Sequence, residues 1–356
     1  MATIDDVAKI AGVSKSTVSN VFSKKRPISK DVADRVLQAA QELSYKPNYW
    51  AKSLAGGKTR IIGISMEGEQ IQFGAFHMAL LNGVLKECYS RGYRLLVNTL
   101  PKAFASQTEN WASNPVDGEI VLDPTVHDAR LRERLQEQLP VVVIGRPPAA
   151  YETRVSYVDN DNVGAAFRVT EYLLGLGHRR ILFLNAPADR TVAHDREGGY
   201  REAFRASGIL PGGEQVEYRP AGAGSSVEFG YRATLACLTR SPEITAVITD
   251  TDKVALGVYQ AADELGLSVP EQLSVFSFSV EPGYGAEFAP ALSCVRLDAE
   301  GLGTEAARLL LESCEQPSPA VRRSIISCEL LIRESCVPPK TTETDGCGQP
   351  HQPIQP

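Results

Sequence analysis

Five polar residues between positions 15 and 20 lie on one predicted helix, whose apolar residues Val18, Val21 and Phe22 face the other way. The five are Lys15, Ser16, Thr17, Ser19 and Asn20. Short side chains with donors and acceptors let a helix approach the DNA major groove and hydrogen-bond base edges and phosphates. A solvated surface helix can carry the same residues, so the surrounding elements must distinguish the two interpretations.

Three predicted helices position this polar face. Thr3 precedes acidic residues, which is typical of a helix start, and Gly12 predicts the end of that helix. Ser14 is placed to cap the second helix, and Ser29 begins a third. Apolar residues recur at helical spacing in all three. The pattern therefore predicts a three-helix core of roughly 45 residues, which is marginal by itself.

The charge distribution supports contact between this segment and a polyanion. Residues 1–60 contain eleven Lys and Arg against five Asp and Glu, although the whole chain has a net charge of −6. A basic segment on an acidic body indicates that only the first part contacts nucleic acid. Helix spacing and charge agree, so we favour the DNA interpretation over a solvated charged surface.

Composition excludes several classes of protein. The chain has 356 residues, of which 43% are hydrophobic and 22% charged, so two or more globular domains are expected. It has no secretory signal and no apolar run long enough to span a membrane, which predicts a cytoplasmic, nucleoid-associated protein without a membrane partner. Seven scattered cysteines without a C-x-x-C pair predict reduced thiols, no metal site and no cofactor.

Motifs typical of enzymes are missing from the sequence. We find no G-x-S-x-G nucleophile elbow and no G-x-G-x-x-G after a predicted strand. The five histidines lie in unrelated contexts, so no catalytic residues are predicted. We expect a protein that is not an enzyme.

The rest of the chain alternates predicted strands and helices. Strands are predicted at 60–66, 94–100, 118–123, 141–145, 179–185, 245–249, 273–278 and 292–298. Helices are predicted at 75–91, 162–176, 196–206 and 252–265. This alternation predicts two doubly wound parallel sheets, with a ligand site in the cleft where the carboxyl ends of their strands meet.

Two motifs carry a resemblance to a known family. "VAKIAGVSKSTVSNVF" is followed at a fixed distance by "ELSYKPNYWAKSLAGG". Together they resemble the headpiece of the lactose-repressor (LacI/GalR) family of bacterial transcription regulators. Further segments, among them "DREGGYREAF" and "TDTDKVALG", extend the resemblance over residues 3–337.

The resemblance implies roles for the headpiece and hinge. It places Lys15, Ser16 and Asn20 on base edges in the major groove, and Thr17 and Ser19 on phosphates. Many members have Arg where this chain has Asn20, and Asn pairs well with adenine. A hinge helix is implied in which three residues enter the minor groove. These are Ala51, Lys52 and Leu54.

The implied fold is an all-α helix-turn-helix headpiece with a hinge helix, then an α/β body of two Rossmann-like lobes resembling periplasmic binding proteins. The expected headpiece covers 1–46, the hinge and linker 47–58, the body 59–337 and a disordered tail 338–356. We expect the first lobe at about 59–158 and 292–320, and the second at about 159–291 and 321–337. Three crossovers would join them.

The family resemblance implies an effector site in the cleft. Arg196 and Asp252 match family positions there, although Arg196 at a helix surface ion pair and Asp252 as a helix N-cap are alternatives. Phe73 and Asp161 (or its neighbour Asn162) are further candidates. Ser279 stands where the family often has an acidic residue, and Ser225 where it often has an aromatic one, so part of a sugar clamp is missing.

The implied function is a sequence-specific DNA-binding regulator. We expect a repressor that binds a palindromic operator in double-stranded DNA as a homodimer, through helix 75–91 and the neighbouring surface. A sugar or related metabolite in the cleft would control it allosterically. The alternative is a ligand-dependent transcriptional activator.

Overall fold

The computed structural model describes residues 2–23, 26–46, 58–66, 73–98, 115–209, 212–220, 224–279, 282–316 and 320–340. The predicted hinge and linker (47–58), except residue 58, and most of the predicted tail lie outside these ranges.

The first three helices form the predicted headpiece. They are α1 (Ile4–Ala11), α2 (Lys15–Ser23) and α3 (Lys30–Glu42). Thr3 caps α1 in a reciprocal pair with Asp6, and Gly12 ends it in the left-handed conformation (φ 63°), which glycine adopts without steric cost. Val7 and Ala11 of α1, Val18 of α2 and Val36 of α3 share one buried cluster. This packing leaves the polar side of α2 outside the core.

The first lobe is built on a six-stranded parallel sheet. Its strands are β1 (Ile61–Ser65), β2 (Arg94–Asn98), β3 (Gly118–Leu122), β4 (Val141–Ile144), β5 (Ser156–Asn160) and β11 (Arg323–Ile326). They are ordered β11-β5-β4-β3-β1-β2. Helices α4 (Ala75–Arg91) and α11 (Ala299–Glu315) pack on one face, and α5 (Ala129–Gln136) packs on the other.

The second lobe repeats this plan. Its strands are β6 (Ile181–Asn185), β7 (Glu214–Tyr218), β8 (Ala246–Thr249), β9 (Ser274–Ser279), β10 (Ser293–Arg296) and β12 (Glu329–Leu331). The order is β12-β10-β9-β8-β6-β7, and only the β10–β12 pairing in this described sheet is antiparallel. The predicted class of two parallel-rich α/β lobes is confirmed.

Helices cover both faces of the second sheet. Helices α6 (Asn162–Gly175) and α7 (Thr191–Ala206) pack on one face. Helices α8 (Ser226–Arg240) and α9 (Asp252–Glu264) pack on the other, and a short α10 (Pro282–Ala286) follows β9. None of the described helices has both the length and the apolar character needed to cross a membrane.

Three crossovers join the lobes, but two of the expected boundaries are wrong. Strand β10 lies in the predicted first-lobe range 292–320, yet it pairs with β9 in the second sheet. Strand β11 lies in the predicted second-lobe range 321–337, yet it pairs with β5 in the first sheet. The chain changes lobes after β5, after β10 and after β11. Each misassigned strand is only three or four residues from a crossover, so its own sequence pattern could not reveal its sheet.

Candidate DNA-binding surface and effector cleft

Helix α2 presents the predicted polar face outward. Lys15, Ser16 and Ser19 are exposed, whereas Thr17 and Asn20 are half-buried. The five predicted DNA contacts therefore lie together on one short helix, opposite the buried Val18 that anchors it to the headpiece core.

Hydrogen bonds of Ser14 fix the start of this helix. The Ser14 hydroxyl accepts from the backbone N–H of Thr17 at 3.2 Å and contacts the hydroxyls of Ser16 at 2.7 Å and Thr17 at 2.9 Å. Lys15 forms an exposed ion pair with Asp5 of α1 at 2.6 Å. An exposed pair of this kind contributes little to stability, so Lys15 can exchange Asp5 for another anion. The three predicted minor-groove residues lie outside the described residues.

Arg196 of α7 lies buried where the two lobes meet, with only 6% of its surface exposed. Its Nε donates to Oδ1 of Asn162 at 2.9 Å, and its Nη1 donates to the backbone carbonyl of Asp250 at 3.3 Å. Its guanidinium lies 3.9 Å from the centre of the Phe278 ring. The alternative of a surface ion pair for Arg196 is therefore wrong.

Close packing between α6 and α7 brings Arg196 to Asn162. Gly199 lies on the turn of α7 after Arg196, and a Cβ there would collide with the carbonyl oxygen of Val163. The absence of a side chain at Gly199 allows the two helices to approach this closely. The sequence segment "DREGGY" therefore supplies both Arg196 and the close helix contact that positions it.

A carboxylate from the first lobe extends this network. Asn162 donates through Nδ2 to Oδ1 of Asp159 at 2.9 Å, and Asp159 belongs to β5. Burial, with a contribution from the charge of Asp195, raises the pKa of Asp159 to about 7. The chain of contacts Asp159–Asn162–Arg196 therefore spans the first crossover between the lobes.

The ends of β8 and β9 add further polar groups. The Ser279 hydroxyl donates to Oδ2 of Asp252 at 2.7 Å. Thr251, not Asp252, is the N-cap of α9 and accepts from the N–H of Val254. Asp250, which follows β8, is 5% exposed, and burial raises its pKa against the lowering effects of Arg219 and Arg196. The described residues contain no cluster of His, Cys, Asp and Glu suited to a metal ion.

Comparison with known proteins places this architecture in a family. Residues 3–48 match the model for bacterial regulatory proteins of the lacI family, and residues 170–336 match that for a periplasmic binding protein-like domain. The chain is 30% identical over 341 residues to the ribose operon repressor of Escherichia coli strain K12, covering 94% of this chain and all of the relative. The chain belongs to the LacI family.

Two solved structures show the same two-lobed arrangement. One is a complex of the transcriptional regulator CelR with cellobiose, which is 27% identical and has a TM-score of 0.72 over 94% of this chain and 100% of the other. The other is a lac repressor dimer bound to operator and an anti-inducer, with 23% identity and a TM-score of 0.79 over 94% and 99% of the two chains. The second supports the fold alone. Family relatives of this chain are transcriptional regulators.

Asp161 and Phe73 are the remaining predicted effector residues of this LacI-family chain, and their surroundings differ from those of Arg196. Asp161 caps α6 by accepting from the N–H of Gly164 at 2.9 Å and lies 3.5 Å from Arg168. Its neighbour Asn162, the alternative considered from sequence, is the residue bonded to Arg196. Phe73 is 45% exposed ahead of α4, with its ring centre 6.0 Å from that of His77. The structure does not join Phe73 or Asp161 to the Arg196 network.

Sequence reasoning missed the direct contacts between the lobes. Arg190 of the second lobe donates to the carbonyl of Asp123 at 2.6 Å and pairs with its carboxylate at 3.2 Å. Arg146 of the first lobe lies 3.4 Å from Asp195 of α7. Both arginines follow strand ends, as expected for cleft residues, but no local pattern identifies their partners across the cleft.

Proposed function

We propose that this chain is a repressor that binds a palindromic operator as a homodimer and is controlled by a sugar or related metabolite in the interlobe cleft. The observation that carries the proposal is the presence of two surfaces in one chain. Helix α2 exposes a polar face on a small headpiece, and Arg196 lies buried in a cleft between two lobes. The first surface suits DNA, and the second suits a small polar ligand.

The DNA-binding role rests on the exposed face of α2. In our proposal Lys15, Ser16 and Asn20 contact base edges, while Thr17 and Ser19 contact phosphates. The contacts of Ser14 hold the first turn of α2 in place before DNA binds, which reduces the ordering cost.

The hinge couples this headpiece to the body. By family resemblance, Ala51 and Lys52 line the minor groove, and Leu54 inserts between base steps. A helix of so few residues is unstable alone in water, so it would form when two hinges meet on DNA. Anything that changes the separation of the two bodies would then change the affinity for operator.

An apolar face on α4 supports the homodimer. Met78, Leu85 and Tyr89 recur along this helix and are 52%, 48% and 90% exposed. Leu96 and Val97 on the edge strand β2 are also exposed. Large apolar side chains repeated along one side of an exposed helix, as on α4, are typical of a protein interface. A two-fold dimer through α4 would present two headpieces to the two halves of a palindrome.

The cleft supports a sugar or a similar polar metabolite as effector. Arg196 and Asp252 bring a fork of donors and a carboxylate to the ends of the second-lobe strands. Hydroxyl-rich ligands need such mixed donors and acceptors, and CelR, which shares the fold, is known in complex with cellobiose. We retain Asp161 and Phe73 as weaker candidates for the rim of this site.

The contacts across the cleft provide the coupling. A ligand between the lobes changes the Arg190–Asp123 and Arg146–Asp195 pairs, and thereby the relative position of the lobes. The α4 interface and the hinges move with the first lobe. If effector changes operator affinity, operator must change effector affinity by the same factor.

Selection of DNA by the full-length chain tests the proposal. We expect a random duplex library to yield a palindrome bound at least about a thousandfold more tightly than bulk duplex. Neutral sugars are then added to the purified complex, and release or tightening is followed by fluorescence anisotropy. A chain lacking residues 1–57 serves as the control, which should lose operator binding and keep sugar binding. Selection of no palindrome would contradict the proposal.

A further inference from the structure

The carboxylate of Asp250 is an unusual feature of the cleft floor. Asp250 directly follows β8, and its backbone N–H donates to the carbonyl of Leu184 at the end of β6. Ile248, two residues earlier, packs on the α6–α7 face of the sheet, so the alternation of strand residues directs Asp250 towards α7 and Arg196. The side chain is more than nine-tenths buried.

Thr251 hydrogen-bonds the Asp250 carboxylate through its side chain, but one carboxylate oxygen has no donor among the described residues. Oδ1 of Asp250 is buried and has no hydrogen-bond partner among the residues that the structure describes. A buried acceptor without a donor costs free energy, more so when it carries charge. Such a group in a ligand cleft indicates that the missing donor belongs to the ligand.

Neighbouring arginines compensate the charge of Asp250 without supplying this hydrogen bond. Arg219 and Arg196 stabilise its ionised form electrostatically. Arg219 directs Nη1 to the Ser226 hydroxyl at 2.7 Å, and Arg196 directs Nη1 to the Asp250 backbone carbonyl instead. The site therefore holds an acceptor whose charge is tolerated and whose hydrogen bonding is incomplete.

We infer that Asp250 is a specificity-determining residue that selects effectors presenting a hydroxyl group to the cleft floor, and that the effector is a neutral polyol, not a phosphate or carboxylate. This inference rests on the proposed function, which places an effector in the cleft. A hydroxyl donated to Oδ1 completes the hydrogen bonding of Asp250, whereas a ligand without that donor leaves it unsatisfied.

Other carboxylates around the floor disfavour an anion. Asp252, whose carboxylate accepts a hydrogen bond from the Ser279 hydroxyl, lies close to the ends of strands β8 and β9. The charge of Asp123, across the cleft on the first lobe, raises the pKa of Asp250 and so acts on the same site. The two arginines that act on Asp250 already compensate its charge. An incoming phosphate would add a further anion beside these carboxylates, whereas a neutral hydroxyl group adds none.

Ligand binding to full-length variants tests this inference. The probes are D-ribose, D-glucose and cellobiose, each neutral, together with ribose 5-phosphate and glucose 6-phosphate. Thermal denaturation identifies the sugars that stabilise the wild-type chain, and calorimetry measures their Kd. We expect at least one neutral sugar to bind, its phosphate to bind more weakly, and Asp250→Ala and Asp250→Leu, which both remove the acceptor, to raise the Kd at least about tenfold.

Asp263→Asn supplies the matched control, because Asp263 is an exposed carboxylate on α9 of the same lobe. It should leave the Kd within about twofold, given the small effects of surface substitutions. The melting temperature of each variant without sugar verifies that the fold is intact. Asp250→Leu, similar in size to Asp but without an acceptor, keeps the test valid if the alanine variant misfolds.

Two outcomes would overturn the inference alone. These are an unchanged Kd for a folded Asp250→Ala or Asp250→Leu variant and tighter binding of a phosphate than of its parent sugar. Binding of a phosphate would still leave an effector site in the cleft, so the proposed regulation would stand. Failure of all three neutral sugars to bind the wild-type chain would overturn both this inference and the sugar effector of the proposed function.

Discussion

The central carbon of the Arg196 guanidinium group lies over the Phe278 ring, 3.9 Å from the ring centre. Burial lowers the pKa of Arg196, while the charges of Asp250 and Asp159 raise it. Contact with the ring and a bond to Asn162 hold the guanidinium group in place, so its outer donors have a defined direction. Arg196 is thus preorganised for a planar or bidentate contact.

Arg196→Lys should therefore weaken effector binding by at least about tenfold while preserving the positive charge, because an ammonium cannot stack and fork in the same way. Calorimetry with a sugar that stabilises the wild-type chain measures the change. Arg205→Lys on the same helix is the control, since Arg205 forms an exposed pair with Glu202. Equal affinities for wild type and Arg196→Lys would show that the fork geometry is unimportant.

The buried carboxylate of Asp159 makes stability depend on pH. Its pKa is about 7 in the folded chain against an ordinary value of 3.8. Ionising Asp159 in the folded state lowers the free energy of unfolding. This loss is absent below pH 3.8, grows as the pH rises and reaches its full size above about pH 7. Removing that charge should therefore stabilise the protein at alkaline pH.

Asp159→Asn retains an oxygen that can accept from Asn162, so we expect it to raise the free energy of unfolding by roughly 1–3 kcal/mol at pH 8. The advantage should shrink towards pH 4. Urea titrations at pH 8, 6 and 4 measure this trend, with Asp263→Asn as an exposed control. A gain that did not vary with pH would assign the effect to packing instead of ionisation.

Much of the fold was predictable from local patterns. Helix α4 has the predicted bounds because Gly74 and Gly92 flank it, and α9 begins at the predicted residue because Thr251 caps it. Strand β7 was missed because its sequence, EQVEY, is polar and half-buried at a sheet edge. Helix α7 begins at Thr191, five residues before its prediction, since its first turn lacks a clear apolar pattern.

The candidate site was predictable only in part, because its contacts join distant segments. Arg196 was identified through the family motif, but its bond to Asn162 depends on how α6 and α7 pack. Asp250 lies next to the predicted Asp252, yet its missing donor becomes visible only once its three-dimensional neighbours are known. Likewise, the partners of Arg146 and Arg190 belong to the opposite lobe.

The α4 face predicts the assembly state. Tyr89→Asp should place a charge on the most exposed large apolar residue of this helix and raise the dimer dissociation constant at least about a hundredfold. Sedimentation velocity over a concentration series measures it. Leu265→Asp, on the second lobe, substitutes another exposed apolar residue and should leave the dimer intact. Dimers of unchanged strength in Tyr89→Asp would place the interface elsewhere.

The half-buried Asn20 of α2 predicts one position of the operator. Asn bonds adenine through N6 and N7, whereas Arg bonds guanine through O6 and N7, so Asn20→Arg should shift the preferred base pair at one symmetric position from A·T to G·C. Each such pair discriminates by about 1–3 kcal/mol, which is about 5- to 150-fold in relative affinity. Repeating the DNA selection with this variant measures the shift.

Gln38→Arg is the control for the added charge. It places the same charge on the exposed surface of α3 and should strengthen binding to all duplexes without changing the selected sequence. If both variants select the wild-type palindrome, Asn20 does not contact a base, and the contribution of α2 to sequence choice must come from Lys15 and Ser16.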